Sequence, residues 1–207
     1  MKSPIILAMD TNELAVAKQW ISLTTESVGI YKLGLEFFLK FGQDGVRAIQ
    51  NETDCEIFLD LKLHDIPNTV ASATAQVASL KPKFLTVHAS GGGAMIRAAS
   101  VSAIGFEGTP LNRAIELAKL AVNSGAKAIV CSPLEIQGIR NAIPDHISII
   151  TPGIRPLGES NVDDQKRVMD PKSALNAGAN YLVIGRPITS ADNISEAAKK
   201  ILDEALS

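Results

Sequence analysis

Cys55-Glu56-Ile57-Phe58-Leu59-Asp60-Leu61-Lys62-Leu63-His64-Asp65-Ile66-Pro67-Asn68-Thr69 is the stretch from which the architecture of this 207-residue chain can be worked out. Residues two apart on a strand share a face. Asp60 and Lys62 therefore point the same way, with Phe58 below them, and Ile57, Leu59, Leu61 and Leu63 point the other way. A solvent-facing strand of alternating charge would not need so purely aliphatic an opposite face. A strand covered by helices on the outside of a barrel does. The charged face then lies inside the mouth of the barrel, where a charge is costly unless it is paired.

Working outward, six more short apolar runs lie at 5–9, 29–34, 84–88, 128–132, 147–151 and 181–185, with longer helical patterns between them. Leu111, Ile115, Ala118 and Val122 make one apolar stripe; Ile194, Ala197, Ala198, Ile201, Leu202 and Ala205 make another. Gly125 and Gly178 stand where a helix is expected to stop. Strands embedded among helices in this way indicate βαβ units and a parallel sheet. Polar residues cluster at the C-terminal ends of nearly every strand: Asp10, Lys32, Asp60, Lys62, His88, Ser132, Arg155 and Arg186. In an open doubly wound sheet only the switch-point strands need such residues. In a (β/α)8 barrel all of those ends ring one mouth, which is the active site. We therefore expect an α/β fold of the (β/α)8 TIM-barrel type. With no linker or second composition zone, residues 1–207 read as a single domain.

Composition narrows the function classes. Apolar residues make up 46% of the chain, charged residues 20%, and the net charge is −2. No Lys/Arg block suggests a nucleic-acid or membrane surface, and no apolar run approaches the ~18 residues of a membrane span. Met1-Lys2-Ser3-Pro4 passes directly into a strand-like run, so no signal peptide is expected. Cys55 and Cys131 sit in separate apolar runs and read as reduced core thiols of a cytoplasmic protein. Three histidines without a close His/Cys/carboxylate cluster give no zinc site, and no G-x-G-x-x-G or P-loop follows any strand. No metal and no cofactor are expected.

Three further motifs bring chemistry to the mouth. Tyr31-Lys32-Leu33-Gly34 places Lys32 one strand before Asp60 and Lys62. Thr151-Pro152-Gly153-Ile154-Arg155-Pro156 leads into a loop rich in Gly, Asn and Asp and then Gln165; Ile184-Gly185-Arg186-Pro187 follows the last strand. Late loops of (β/α)8 enzymes commonly bind phosphate. An Arg offers a fixed fork of donors for it, and Gly185 lets the backbone come close.

Together, Asp-x-Lys-x-x-Asp-Ile-Pro-x-Thr, Tyr-Lys-Leu-Gly, Thr-Pro-Gly-Ile-Arg-Pro and Ile-Gly-Arg-Pro resemble the orotidine 5'-phosphate decarboxylase family of bacterial type. The resemblance implies decarboxylation of orotidine 5'-phosphate to uridine 5'-phosphate in pyrimidine biosynthesis, without a cofactor. It implies that Lys62 is the general acid that protonates C6 and that Asp60 sits beside the leaving carboxylate. Asp65 completes a Lys-Asp-Lys-Asp array with Lys32. It further implies a homodimer with shared sites, in which Asp65 and Thr69 reach into the partner's site, and it places Ile66 among the substrate-binding residues. Asp10 and Lys32 would hold the ribose hydroxyls, and Arg155, Gln165, Gly185 and Arg186 the phosphate. His88 is assigned no role. The rival readings are a sugar-phosphate decarboxylase or aldolase of a sister barrel, which shares Asp60, Lys62 and Asp65, and a catalytically dead barrel that binds a phosphate ligand.

One expectation concerns what is missing. Residues 90–127 should hold a helix, the fifth strand and a second helix. Helical patterns occupy 94–102 and 111–124, but 103–110 holds no convincing strand. The fifth-strand region is thus expected to be shortened or missing near 99–104, and no residue is assigned to the pyrimidine contact that the family places there.

Overall fold

The computed structural model describes residues 3–99, 110–156 and 168–207. All seven expected runs are strands, shorter by one or two residues at their ends: β1 Ile5–Ala8, β2 Ile30–Gly34, β3 Glu56–Leu63, β4 Phe84–Val87, β5 Ala128–Val130, β6 Ser148–Thr151 and β7 Tyr181–Ile184. Between and after them run α1 Leu14–Thr24, α2 Leu35–Gln50, α3 Pro67–Ala78, α4 Gly93–Ala99, α5 Pro110–Asn123, α6 Ile136–Arg140, α7 Pro171–Asn176, α8 Arg186–Thr189 and α9 Ile194–Leu206. The strands form one parallel sheet in the order β4-β3-β2-β1-β7-β6-β5. First and last strands pair, Ile6 opposite Val183, so the sheet curls around on itself. Among the described residues it stays open between β4 and β5, where an eighth strand would close a (β/α)8 barrel.

The alternation read in the sequence sorts the side chains into two cores. Ile57, Leu59 and Leu61 face outward with Ile5, Leu7, Leu33, Ile149, Leu182 and Ile184, packed under the helices. The helices contribute Ala17 and Ile21 from α1, Phe37 and Val46 from α2, Ala118 from α5, and Ala198 and Ile201 from α9. The inward core is small: Ile6, Ile30, Phe58 and Ile150, with Phe84, Ala128, Tyr181 and Val183 against them. Its aromatic rings meet edge to face, Phe58 with Phe84 at 5.8 Å between centroids and Phe84 with Tyr181 at 5.5 Å. This plug fills the lower part of the barrel, so a charged side chain one layer higher on the same strand face emerges at the mouth.

Helix ends carry the expected stop and start chemistry. Gly125 and Gly178 both have positive φ, at 97° and 107°. The Asp170 carboxylate accepts from Ser173 N at 2.8 Å ahead of α7, and Asn193 Oδ1 accepts from Glu196 N at 3.1 Å ahead of α9. One feature departs from simple periodicity: α2 is broken at Gly42, whose φ of 58° and ψ of −155° are not helical.

Candidate active site

The C-terminal ends of β1, β2, β3, β6 and β7 converge on one cleft of about 280 Å³. Asp10, Lys32, Asp60, Lys62, Arg155, Gly185 and Arg186 all line it. The structure therefore brings together seven of the positions singled out in the sequence, across five strands that are far apart in the chain.

Asp60 is the hub. It is 8% exposed, and its Oδ2 accepts from Lys62 Nζ at 2.6 Å and from Lys32 Nζ at 3.4 Å. Lys32 also donates to Asp10 Oδ1 at 3.2 Å. Burial by itself would raise the Asp60 carboxyl. The bond from Lys62, the charge of Lys32 and a hydroxyl bond from Thr86 outweigh burial and hold it below the ordinary carboxylate range. Asp60 is thus an anion at neutral pH. The two lysines differ in setting: the Lys32 side chain is 11% exposed and the Lys62 side chain 50%, so Lys62 presents its ammonium to the cleft.

Lys62 does not reach the cleft by plain strand alternation. Phe58 lies opposite Phe84 and Leu59 opposite Leu85, but Leu63 lies opposite Val87, so β3 bulges between Leu59 and Leu63. Lys62 adopts φ 50° there, a left-handed conformation that is costly for a side-chain-bearing residue. Bulges commonly stand beside active sites, where they re-aim a side chain.

Across the cleft, Thr151 is fully buried, and its Oγ1 donates to Cys131 O at 2.9 Å. The turn that follows uses Gly153 at φ 79°, a conformation open to glycine without steric cost. Arg155 N donates to Met169 O at 3.0 Å and Met169 N to Gly153 O at 3.2 Å, which ties the segment after β6 to the one before α7. Gln165 lies outside the described residues. From β7, Gly185 leads into α8, whose first residue is Arg186. Arg155 and Arg186 both line the cleft, and the Arg155 guanidinium donates to Ile154 O at 3.0 Å.

Asp65, Ile66 and Thr69 are not among the residues lining this cleft. They leave β3 on an exposed segment; Ile66 is 66% exposed, and Asp65 Oδ1 accepts from Ile66 N at 2.7 Å. His88 stays out of the cleft as well, its ring 5.1 Å from that of His64.

Several residues escaped the sequence reading. Ala8, Val130, Pro152 and Val183 form apolar walls of the cleft, and Thr86 bonds Asp60. The inward register would have found most of them, since Ala8 is two before Asp10, Val183 two before Gly185, and Thr86 two before His88. A search confined to charged residues passes over them.

The comparisons with known proteins agree with this geometry. The family described as "Orotidine 5'-phosphate decarboxylase / HUMPS family" matches residues 3–108 and 99–201. An orotidine 5'-phosphate decarboxylase of Thermobifida fusca is 41% identical over 225 residues, covering 99% of this chain and 96% of the relative. One from Gluconobacter oxydans is 40% identical over 235 residues, covering 100% and 98%. The crystal structure of orotidine 5'-phosphate decarboxylase from Lactobacillus acidophilus superposes with a TM-score of 0.83 at 30% identity, covering 99% of this chain and all of that one. The Thermobifida alignment is at least 18 positions longer than this chain of 207 residues, so the relative has residues with no counterpart here. The two family matches also meet at 99–108, which fits a shortened fifth-strand region; the 99–104 step itself falls almost wholly outside the described residues. With matches that run nearly from end to end, this chain belongs to the orotidine 5'-phosphate decarboxylase / HUMPS family.

Proposed function

We propose that this chain decarboxylates orotidine 5'-phosphate to uridine 5'-phosphate. The observation that carries the reading is one cleft that holds the Asp60 carboxylate between two lysines and is also lined by Arg155 and Arg186. In this reading the bond from C6 to the carboxylate breaks and carbon dioxide leaves. The electron pair stays on C6 and takes a proton from the Lys62 ammonium, which solvent then replenishes. An ammonium beside C6 interacts more strongly with a developing carbanion than with a neutral carbon, and that difference lowers the barrier. Asp60 sets where the ammonium lies. It also stands near the substrate carboxylate, and two like charges at ~4 Å cost ~4 kcal/mol at an effective dielectric of ~20, relieved as carbon dioxide departs. Arg155, Gly185, Arg186 and Gln165 take the phosphate, Asp10 and Lys32 the ribose hydroxyls. That remote grip orders the reacting end.

The catalytic unit is residues 1–207 as one domain, supported by the pairing of β1 with both β2 and β7 and the packing of α9 on α1. It works as a homodimer in which Asp65, Ile66 and Thr69 complete the partner's cleft. Their exposure and the bare Ile66 side chain support this, since association would bury it. Its place is the cytoplasm, supported by two free cysteines and by the absence, among the described residues, of a helix long and apolar enough to cross a membrane. Loss of ultraviolet absorbance from orotidine 5'-phosphate, unaffected by a chelator, is the expected result. Turnover that depends on a divalent metal and a sugar phosphate would assign the chain to the sister chemistry instead. Among the described residues the sheet stays open between β4 and β5, which favours a second reading, a barrel that binds the phosphate ligand without turning it over. Product binding without turnover would establish that one.

A further inference from the structure

We propose that Thr86 is the positioning residue of this site, its one hydroxyl holding both the Asp60 carboxylate and the backbone bulge that aims Lys62. The proposal rests on the decarboxylase reading above.

The β3 bulge creates the need. Four steps along β3, from Leu59 to Leu63, are matched by only two along β4, from Leu85 to Val87. Lys62 N is thereby drawn out of the regular ladder and needs an acceptor other than the β4 backbone. Thr86, on β4 between the two matched positions, accepts it: Lys62 N donates to Thr86 Oγ1 at 2.9 Å. The same oxygen donates its hydrogen to Asp60 Oδ1 at 2.9 Å. The direction of both bonds is forced, because an amide can only donate and an ionised carboxylate can only accept. With Oδ1 fixed, Oδ2 is left for Lys62 Nζ at 2.6 Å and Lys32 Nζ at 3.4 Å. One hydroxyl therefore fixes the rotation of the carboxylate and the left-handed backbone of Lys62, whose φ is 50°. Thr86 is not among the residues lining the cleft, so it acts through Asp60 and Lys62 rather than on substrate.

Thr86→Val keeps the shape and removes both bonds; Thr86→Ser keeps the hydroxyl. The valine chain is expected to lose kcat by roughly ten- to a hundredfold, the scale of a small misplacement at a reacting centre, with KM within about twofold. Affinity for uridine 5'-phosphate should stay near the original. The titration midpoint of the Asp60 carboxyl, followed by carbon NMR, should move up in the valine chain and stay in place in the serine chain, whose kcat should recover. Original kcat in the valine chain, a loss of kcat without movement of that midpoint, or a serine chain as impaired as the valine one would each overturn the proposal. Circular dichroism shows whether the valine chain folds; if it does not, Thr86→Ala carries the same comparison. Should the unaltered chain fail to turn over orotidine 5'-phosphate, the decarboxylase reading falls, and the Asp60 midpoint still decides the role of Thr86.

Discussion

Asp60 places one negative charge between two ammonium groups, and that ratio governs what each substitution does. In the proposed mechanism, Lys62→Ala removes both the proton donor and the charge beside C6. General acid catalysis and electrostatic stabilisation are lost together, so turnover should fall by at least ~10³-fold while uridine 5'-phosphate still binds. Near-normal turnover would refute the role of Lys62. Arg186→Ala should lower kcat/KM on the phosphorylated substrate by about ten- to a hundredfold, the worth of one charged hydrogen bond, and barely alter binding of the phosphate-free nucleoside. Equal losses on both ligands would place Arg186 outside the phosphate site. Asp60 also predicts an acid dependence of stability. Its folded carboxyl lies below its ordinary value, so its contribution is full above the unfolded pKa of ~4 and is lost as pH falls through the folded one. The gap in thermal midpoint between the original chain and Asp60→Asn should accordingly be largest near neutrality and shrink below about pH 4. A gap that does not change with pH would mean that packing, not charge, links Asp60 to stability.

Among elements, the joint of α6, β6 and β7 rests on one side chain. Arg140, in the last turn of α6, donates to Gly178 O at 3.4 Å, Pro144 O at 3.3 Å, Ile147 O at 2.9 Å and Asn180 Oδ1 at 3.0 Å. Asn180 Oδ1 in turn accepts from Ile149 N at 2.8 Å, tying the start of β7 to β6. Gly178 sits against this arginine: a Cβ there would lie 2.9 Å from Arg140 Cγ, and its φ is 107°. Arg140→Ala leaves three carbonyls without that donor and should cost about 2–3 kcal/mol in denaturant melts. Because β6 and β7 carry Arg155 and Arg186, KM should rise as well. An unchanged midpoint would show that water replaces the arginine. The helix stops at Gly125 and Gly178 and the α9 stripe were legible in the sequence, because caps and periodicity are local. The break at Gly42 and the bulge at Lys62 were not. A bulge depends on the register of the neighbouring strand, which no residue of β3 announces.

The whole molecule raises the matter of edges. Among the described residues the parallel sheet stays open between β4 and β5, and barrels abolish such edges by closure. Association is the other consequence of shape. If Asp65 serves the partner's cleft, a Lys62→Ala chain and an Asp65→Ala chain, each inactive alone, should restore activity when mixed. One of the two sites in a mixed dimer would then be intact, so a random mixture should reach about a quarter of the original activity. Mixed dimers that form and remain inactive would show that each site is built from one chain.

Period-two alternation around Phe58, Asp60 and Lys62, with helical stripes between short apolar runs, is a local property. From it the sequence alone determined seven parallel strands, which residues face inward, and where the polar ends gather. Arg155 and Arg186 were assigned to one anion site because strand ends of a barrel share a rim. What only the tertiary structure decided is distance and tilt: that Asp60 Oδ2 meets two ammoniums, that Lys62 is turned by a bulge, and that Thr86 joins the two. These depend on strand register and on side chains some two dozen positions apart, whose contact is set by packing of the whole sheet rather than by any neighbouring residue.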